Sequence, residues 1–149
     1  MFKAKNTGVE YSGELIYIRG EHSFDFKPSR NSDITLMIGY IYLGIDSETM
    51  SVQQIWGYSS NFSWIEKELK VPAYFKGELI LNEELEGGIS KRLIESDEWQ
   101  TSYDRNTGWV CIGNEFIEQN EIAVEFAKNT IAVLDRGILK AIWLRPKLY

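Results

Sequence analysis

Three short runs near the C-terminus decide the fold: IAVEFA at residues 122–127, TIAVL at 130–134 and ILKAIWL at 138–144. Each run is rich in β-branched or aromatic residues, which favour strands. The intervening Lys128-Asn129 and Asp135-Arg136-Gly137 are typical turn sequences. The runs therefore predict a β-meander. A helix over 121–134 is the main alternative, but the β-branched content and the break at Asn129-Thr130 argue against it.

The same pattern of short apolar runs and turns continues toward the N-terminus. The further strand candidates are 14–19, 22–26, 35–45, 50–56, 76–82, 98–103 and 108–113. The run 35–45 predicts one longer strand buried on both faces, with Gly39 and Gly44 allowing a bend. A turn at 46–49 should return the chain as a hairpin that ends at Gly57. Short strands at this spacing predict a mainly β domain, an antiparallel β-sandwich or open barrel of roughly 8–10 strands with one or two short helices.

One helix start is indicated at Ser63. Ser63 and Glu66 match a capping box, in which a Ser N-cap is followed three residues later by Glu. Pro72 disfavours helical geometry at Val71, so the predicted helix has about two turns at most. The residues from 89 to 98 are compatible with a helix or a loop, and the pattern does not decide between them.

Length and composition predict a single globular domain. The chain has 149 residues, of which 44% are hydrophobic and 13% aromatic, which allows a sizeable core. The net charge of −6 argues against a nucleic-acid binder, which needs clustered Lys and Arg. It also argues against binding to an anionic membrane. A protein partner with a basic surface fits this charge better.

The single cysteine, Cys111, excludes a disulfide within the chain. Cysteine use of this kind is typical of a reducing compartment. The first eight residues are polar and do not read as an apolar leader. These features together predict a cytoplasmic protein.

The residue inventory offers little catalytic chemistry. A Ser/His/Asp or Cys/His nucleophile needs an imidazole beside it, and His22, in a predicted strand, is the only histidine. Cys111 lies in an apolar run and is expected to be buried and inert. Zinc sites need several His and Cys ligands, and 104–108 reads as a hairpin turn rather than a calcium loop. Paired carboxylates could serve a glycosidase, but such pairs are nonspecific in an acidic chain. We therefore predict a protein that is not an enzyme and uses no cofactor or metal.

Acidic residues are concentrated in one region of the chain. Between residues 77 and 121 there are eleven Asp or Glu residues and three Lys or Arg residues. Such a region is either an ordinary solvated face or an acidic docking surface. The docking interpretation names six candidate partner-binding residues: Glu83, Glu84, Glu86, Glu95, Asp97 and Glu98.

A second candidate region is the aromatic stretch WGYSSNFSW at 56–64. Its large rings could cap one end of the core. They could equally form a binding surface, since large aromatic side chains are typical interface anchors. The binding interpretation adds four partner-binding candidates: Trp56, Tyr58, Phe62 and Trp64.

Three functions from different classes follow. The first is a non-enzymatic protein-binding domain, specifically an immunity-type inhibitor of a basic bacterial toxin such as a nuclease, because an acidic inhibitor gains electrostatic steering. The second is a small-ligand or carbohydrate-binding β module, suggested by the aromatic stretch. The third is a structural or adaptor subunit. The sequence does not predict the oligomeric state.

Overall fold

The computed structural model describes residues 1–95 and 97–149, and these form fifteen β-strands and two single 3₁₀ turns, Arg19–Glu21 and Asn61–Ser63. The strands are β1 (Phe2–Asn6), β2 (Glu14–Ile18), β3 (Ser23–Lys27), β4 (Ile34–Ile38), β5 (Ile41–Asp46), β6 (Ser51–Tyr58), β7 (Ile65–Glu66), β8 (Phe75–Leu81), β9 (Ser90–Ile94), β10 (Thr101–Tyr103), β11 (Val110–Gly113), β12 (Glu121–Ala127), β13 (Thr130–Asp135), β14 (Ile138–Leu144) and β15 (Lys147–Leu148). The prediction of a mainly β domain is confirmed. The strand number exceeds the predicted 8–10 because the run 35–45 forms two strands and because β1, β7, β9 and β15 were not among the predicted strands.

The strands form one curled, open sheet that makes a half-barrel. Its main path runs β15-β2-β3-β6-β8-β12-β13-β14-β11-β10-β7. Strands β5, β4 and β9 extend the sheet from β6, and β1 pairs with β8. Most neighbours are antiparallel, and among the described strands β2–β15, β4–β9, β7–β10 and β8–β12 are parallel. The open-barrel form of the prediction is therefore the one observed.

The C-terminal meander is confirmed. Strand β13 pairs with both β12 and β14, with Ala132 opposite Val124 on one side and Ile142 on the other. Asn129 and Gly137, in the two turns, have positive φ angles of 58° and 84°, a conformation that Asn and Gly adopt more readily than other residues. The turn residues therefore fix where each strand ends.

The predicted single strand over 35–45 is wrong, because two strands occupy this stretch. Gly39 has a φ of 58° and turns the chain between β4 and β5, so that Ile38 lies opposite Ile41. The bend expected near Gly44 is present as a shift of register between Gly44 and Ile45. The predicted β5–β6 hairpin is confirmed.

The helix predicted from Ser63 is also wrong. The 3₁₀ turn ends at Ser63, Trp64 is extended with φ −72° and ψ 139°, and Ile65 and Glu66 pair with β10. The Trp64 ring packs against the barrel interior, as described below. This packing and the strand pairing outweigh the local helix signal, since propensity is a weak determinant beside tertiary contacts.

Two apolar clusters stabilise the sheet. The larger one includes Phe24, Phe26, Leu36 and Phe126. The smaller one, here called the sealed cluster, lies on the other face of β11, β13 and β14 and consists of Leu69, Trp109, Cys111, Ala123, Ile131, Val133, Ala141 and Trp143. Consecutive residues of β13 and β14 alternate between the two clusters, which explains why both strands are buried throughout their centres.

The sealed cluster is covered by residues 67–74, here called the strap. Leu69 of the strap is buried in the cluster, and its N–H donates to Asp104 Oδ2 at 3.0 Å. The N–H of Lys67 donates to the Tyr103 carbonyl at 3.0 Å. The β10–β11 connection at 104–108, correctly predicted as a hairpin turn, thus also anchors the strap.

Candidate functional site

Four aromatic side chains form a continuous row on the surface. The ring centroids are 5.1 Å apart for Phe62 and His22, 6.0 Å for His22 and Tyr58, and 6.4 Å for Tyr58 and Tyr40. Phe62 is 86% exposed, Tyr40 is 55% exposed and Tyr58 is 51% exposed. These four residues are called the aromatic row. Large exposed rings that touch one another are uncommon on a surface with no binding role.

The backbone brings the row together from three separate segments. Tyr40 lies in the β4–β5 turn, Tyr58 ends β6, and His22 precedes β3 with a positive φ of 53°. The N–H of Tyr58 donates to the Tyr40 carbonyl at 3.1 Å, and the N–H of Ser59 donates to the His22 carbonyl at 2.8 Å. Gly57 allows this approach, because a Cβ there would collide with the Tyr40 carbonyl oxygen.

The four aromatic residues predicted from 56–64 do not act as one cluster. Tyr58 and Phe62 belong to the row. Trp64 is half-buried, with ring centroids 4.7 Å from Tyr17 and 5.4 Å from Tyr103, so it fills the barrel interior. Trp56 packs against Tyr42 at 5.6 Å and lies outside the row. The stretch therefore contains both a core-capping ring and a binding candidate.

A groove of about 470 Å³ lies beside the row. Its apolar floor includes Ile38, Ile41 and Ile112, which are all buried. Its walls contain four aromatic residues and one charged residue: Tyr40, Tyr58, Trp64, Trp99 and Glu95. The groove thus joins three predicted site residues, Tyr58, Trp64 and Glu95, at one place.

The six acidic candidates are divided by strand β9. Glu83, Glu84 and Glu86 precede β9, whereas Glu95, Asp97 and Glu98 follow it, and a five-residue strand separates the two groups by roughly 15 Å. Ser96, between members of the second group, lies outside the described residues. The structure therefore does not gather these carboxylates into one acidic patch.

The members of each acidic group also differ in their surroundings. Lys91 Nζ lies 2.7 Å from Glu83 Oε1, and this hydrogen bond holds the pKa of Glu83 below its ordinary value. Glu84 and Glu86 are exposed. Asp97 and Glu98 line a different groove, beside Phe116. Glu95 is thus the acidic candidate that shares a groove with the aromatic row.

Two members of the row, His22 and Tyr40, were missed by sequence reasoning. The sequence pattern predicts His22 as a strand residue, and Tyr40 lies within the run 35–45, which predicts one continuous strand. The signal that could have revealed Tyr40 is Gly39-Tyr40 as a turn between two apolar runs. The approach of these segments depends on strand pairing between residues that are distant in sequence, which a local pattern does not show.

A buried carboxyl pair was also missed. Glu125 is 4% exposed and its pKa is raised to about 7, first by burial and then by the hydrogen bond and charge of Glu10. Glu10 Oε1 lies 3.5 Å from Lys76 Nζ and 3.8 Å from Lys128 Nζ. The two carboxyl groups can share a proton near neutrality, because the charge of Glu10 and the burial of Glu125 both disfavour the ionised form of Glu125.

Cys111 is fully buried, as predicted, and burial raises the pKa of its thiol to about 12. A thiol in this state is a poor nucleophile. Within residues 1–95 and 97–149, no group of three or more His, Cys, Asp or Glu side chains is arranged to hold a metal ion.

Within the same described part of the chain, no helix has the length and apolar character needed to cross a membrane. The sequence matches no protein-family model and shows significant similarity to no curated protein.

Proposed function

We propose that this chain is a non-enzymatic protein-binding domain whose contact surface is the aromatic row. The observation that carries the proposal is the exposure of Phe62, Tyr58 and Tyr40 in one continuous line of ring contacts. Protein interfaces are enriched in large aromatic residues, and a few such anchors supply most of the binding free energy. Positions held by backbone hydrogen bonds between turns would let the rings bind with little ordering cost.

The proposed partner has a basic surface. The net charge of −6 favours association with a positively charged protein through electrostatic steering. A basic bacterial toxin, such as a nuclease, has this character because it must approach phosphate groups. The specific proposal is an immunity-type inhibitor that acts in the cytoplasm.

The test is affinity capture from a lysate of the source organism, with the intact protein as bait at low and at moderate salt. Capture of one basic protein that is released by salt is the expected result. Tyr58→Ala and Phe62→Ala should each weaken capture by at least about tenfold if they are anchors. The matched control is Tyr74→Ala, since Tyr74 is 43% exposed and lies outside the row.

Each outcome has a defined meaning. Equal capture by the wild type and both row variants would remove the row as the contact surface. An empty capture at low salt would contradict stable binding to a basic partner. If a partner is captured, inhibition of its activity by the purified chain distinguishes an immunity protein from an adaptor subunit.

The groove favours a second candidate, a small-ligand or carbohydrate-binding module. Half-buried Trp64 and Trp99 line it, and indole rings stack well on apolar faces of ligands. Titration of intrinsic tryptophan fluorescence with a panel of sugars tests this candidate. Saturable quenching that is lost in Trp99→Ala would support it, and an unchanged signal across the panel would exclude it for the sugars used.

A further inference from the structure

We infer that the groove beside the aromatic row is a socket for a Lys or Arg side chain of the partner protein. The inference rests on the proposed protein-binding function and adds the chemistry that the groove recognises. It follows from the charge of the groove, the chemistry of its walls and its size.

The groove carries one negative charge, because Glu95 is the only charged residue among the described residues that line it. Its carboxylate forms no ion pair with any residue in 1–95 or 97–149. The neighbouring Arg92 instead donates to the Gly39 carbonyl at 2.7 Å and does not line the groove. An incoming cation would therefore meet one carboxylate whose charge the protein has not already paired.

The walls of the groove include aromatic rings. Tyr40 and Tyr58 present exposed rings, and the faces of Tyr and Trp rings attract ammonium and guanidinium groups placed within about 6 Å. Ser60 and Ser63 also line the groove, and serine hydroxyl groups can accept hydrogen bonds from N–H groups. Aromatic faces beside a carboxylate are the combination that binds organic cations.

The size of the groove and its apolar floor also fit a Lys or Arg side chain. A volume of about 470 Å³ is at the small end of ligand sites and suits one long side chain with part of its backbone. The apolar floor formed by Ile38, Ile41 and Ile112 matches the methylene stem that Lys and Arg share. An anion would be repelled by Glu95, whereas a Lys or Arg side chain would gain both the charge attraction and the hydrogen bonds to its carboxylate.

The first experiment titrates the intact protein with N-acetyl-arginine amide and N-acetyl-lysine amide, followed by tryptophan fluorescence and by amide NMR shifts. N-acetyl-glutamine amide is the neutral control. We expect weak, saturable binding of the cationic probes with shifts at Tyr58 and Trp99. Glu95→Gln should weaken it about tenfold, the size of a lost charge-assisted contact. Glu48→Gln, which removes an exposed carboxylate between β5 and β6, should leave it unchanged.

Equal binding of the neutral probe, or equal binding by Glu95→Gln, would overturn the socket. A second experiment separates this outcome from failure of the proposed function. If the captured partner is lost in Phe62→Ala but retained with unchanged affinity and salt dependence in Glu95→Gln, protein binding stands and the socket is wrong. If neither variant changes capture, the partner binds elsewhere on the protein, and both the aromatic row and the socket are wrong as contact surfaces.

Discussion

The sealed cluster and the aromatic row are built from the same kinds of residue but end in opposite environments. Trp143 and Trp109 are 1% and 7% exposed, and their rings meet edge to face at 6.3 Å. Phe62 is 86% exposed although its ring also contacts a neighbour. Aromatic rings contact one another in both places, so ring contacts alone do not distinguish a core from a binding surface.

What separates them is the presence of a covering segment. The strap lies over the sealed cluster and is held by the carboxylate of Asp104, whose pKa is lowered chiefly by the hydrogen bond from the Leu69 N–H. No described segment covers the aromatic row. The rings of the sealed cluster therefore stabilise the fold, whereas the exposed rings of the aromatic row remain available to a partner.

The largest expected effect on stability comes from weakening the contact between the strap and the sealed cluster. Leu69→Ala removes the strap side chain that is buried in the sealed cluster, and we expect the free energy of unfolding to fall by about 2–5 kcal/mol. Urea denaturation measures this change. The Cys111 thiol, unreactive in the wild type because it is buried with a raised pKa, should also react faster with a thiol reagent.

Ile138→Ala is the control, because Ile138 is 61% exposed and should matter little. If Leu69→Ala is as stable as this control and Cys111 stays protected, the strap does not seal the cluster and the comparison fails.

The second prediction compares the buried carboxyl group of Glu125 with the exposed carboxyl group of Glu95. The pKa of Glu125 rises from 4.5 to about 7 on folding, so the folded state holds its proton more tightly. This stabilisation is complete below pH 4.5 and is lost as the pH rises through about 7. We expect that in Glu125→Gln, which keeps the side-chain volume, the free energy of unfolding no longer decreases as the pH rises through about 7.

Urea denaturation at a series of pH values between 4.5 and 8 checks this expectation against the wild type. Glu95→Gln serves as the control, because Glu95 is exposed. The lowered pKa values of Asp33 and Glu83 contribute in the opposite direction at lower pH and are common to all three proteins. Parallel pH profiles for the wild type and Glu125→Gln would show that the pair holds no proton near neutrality.

The smallest expected effect on stability is for a residue of the aromatic row. Phe62→Ala should change the free energy of unfolding by no more than about 0.5 kcal/mol, since exposed side chains outside special contacts contribute little. Thermal and urea denaturation both measure this. A loss of 2 kcal/mol or more would mean that Phe62 is a structural residue, and any loss of partner capture in that variant would then reflect unfolding.

The parts of the fold that local chemistry determines were predictable from the sequence. The C-terminal meander was predictable, because the turn sequences Lys128-Asn129 and Asp135-Arg136-Gly137 interrupt clear strand patterns. The hairpin after β10 was predictable for the same reason, since Gly108 has a positive φ of 84°. Burial of Cys111 followed from its apolar neighbours.

Features that depend on distant pairing were not predictable. The Ser63 capping signal was overridden by the packing of Trp64 and by the pairing of β7 with β10. The acidic candidates were adjacent in sequence, but β9 separates them in space. The contact of Glu10 with Glu125 joins residues that no local pattern connects, and the same is true of His22 and Tyr58 in the aromatic row.

The parallel pairing of β2 with β15 has a consequence for the rate of folding. Lys147 lies opposite Ile16 and Leu148 opposite Tyr17, so one edge of the half-barrel forms only after a very long loop closes. Chain entropy opposes such closure before the contacts can compensate, and topologies rich in distant contacts fold slowly, in roughly milliseconds to seconds. Local hairpins such as β13–β14 can form much earlier, which leaves the β2 edge unpaired, and open to association with other chains, until late in folding.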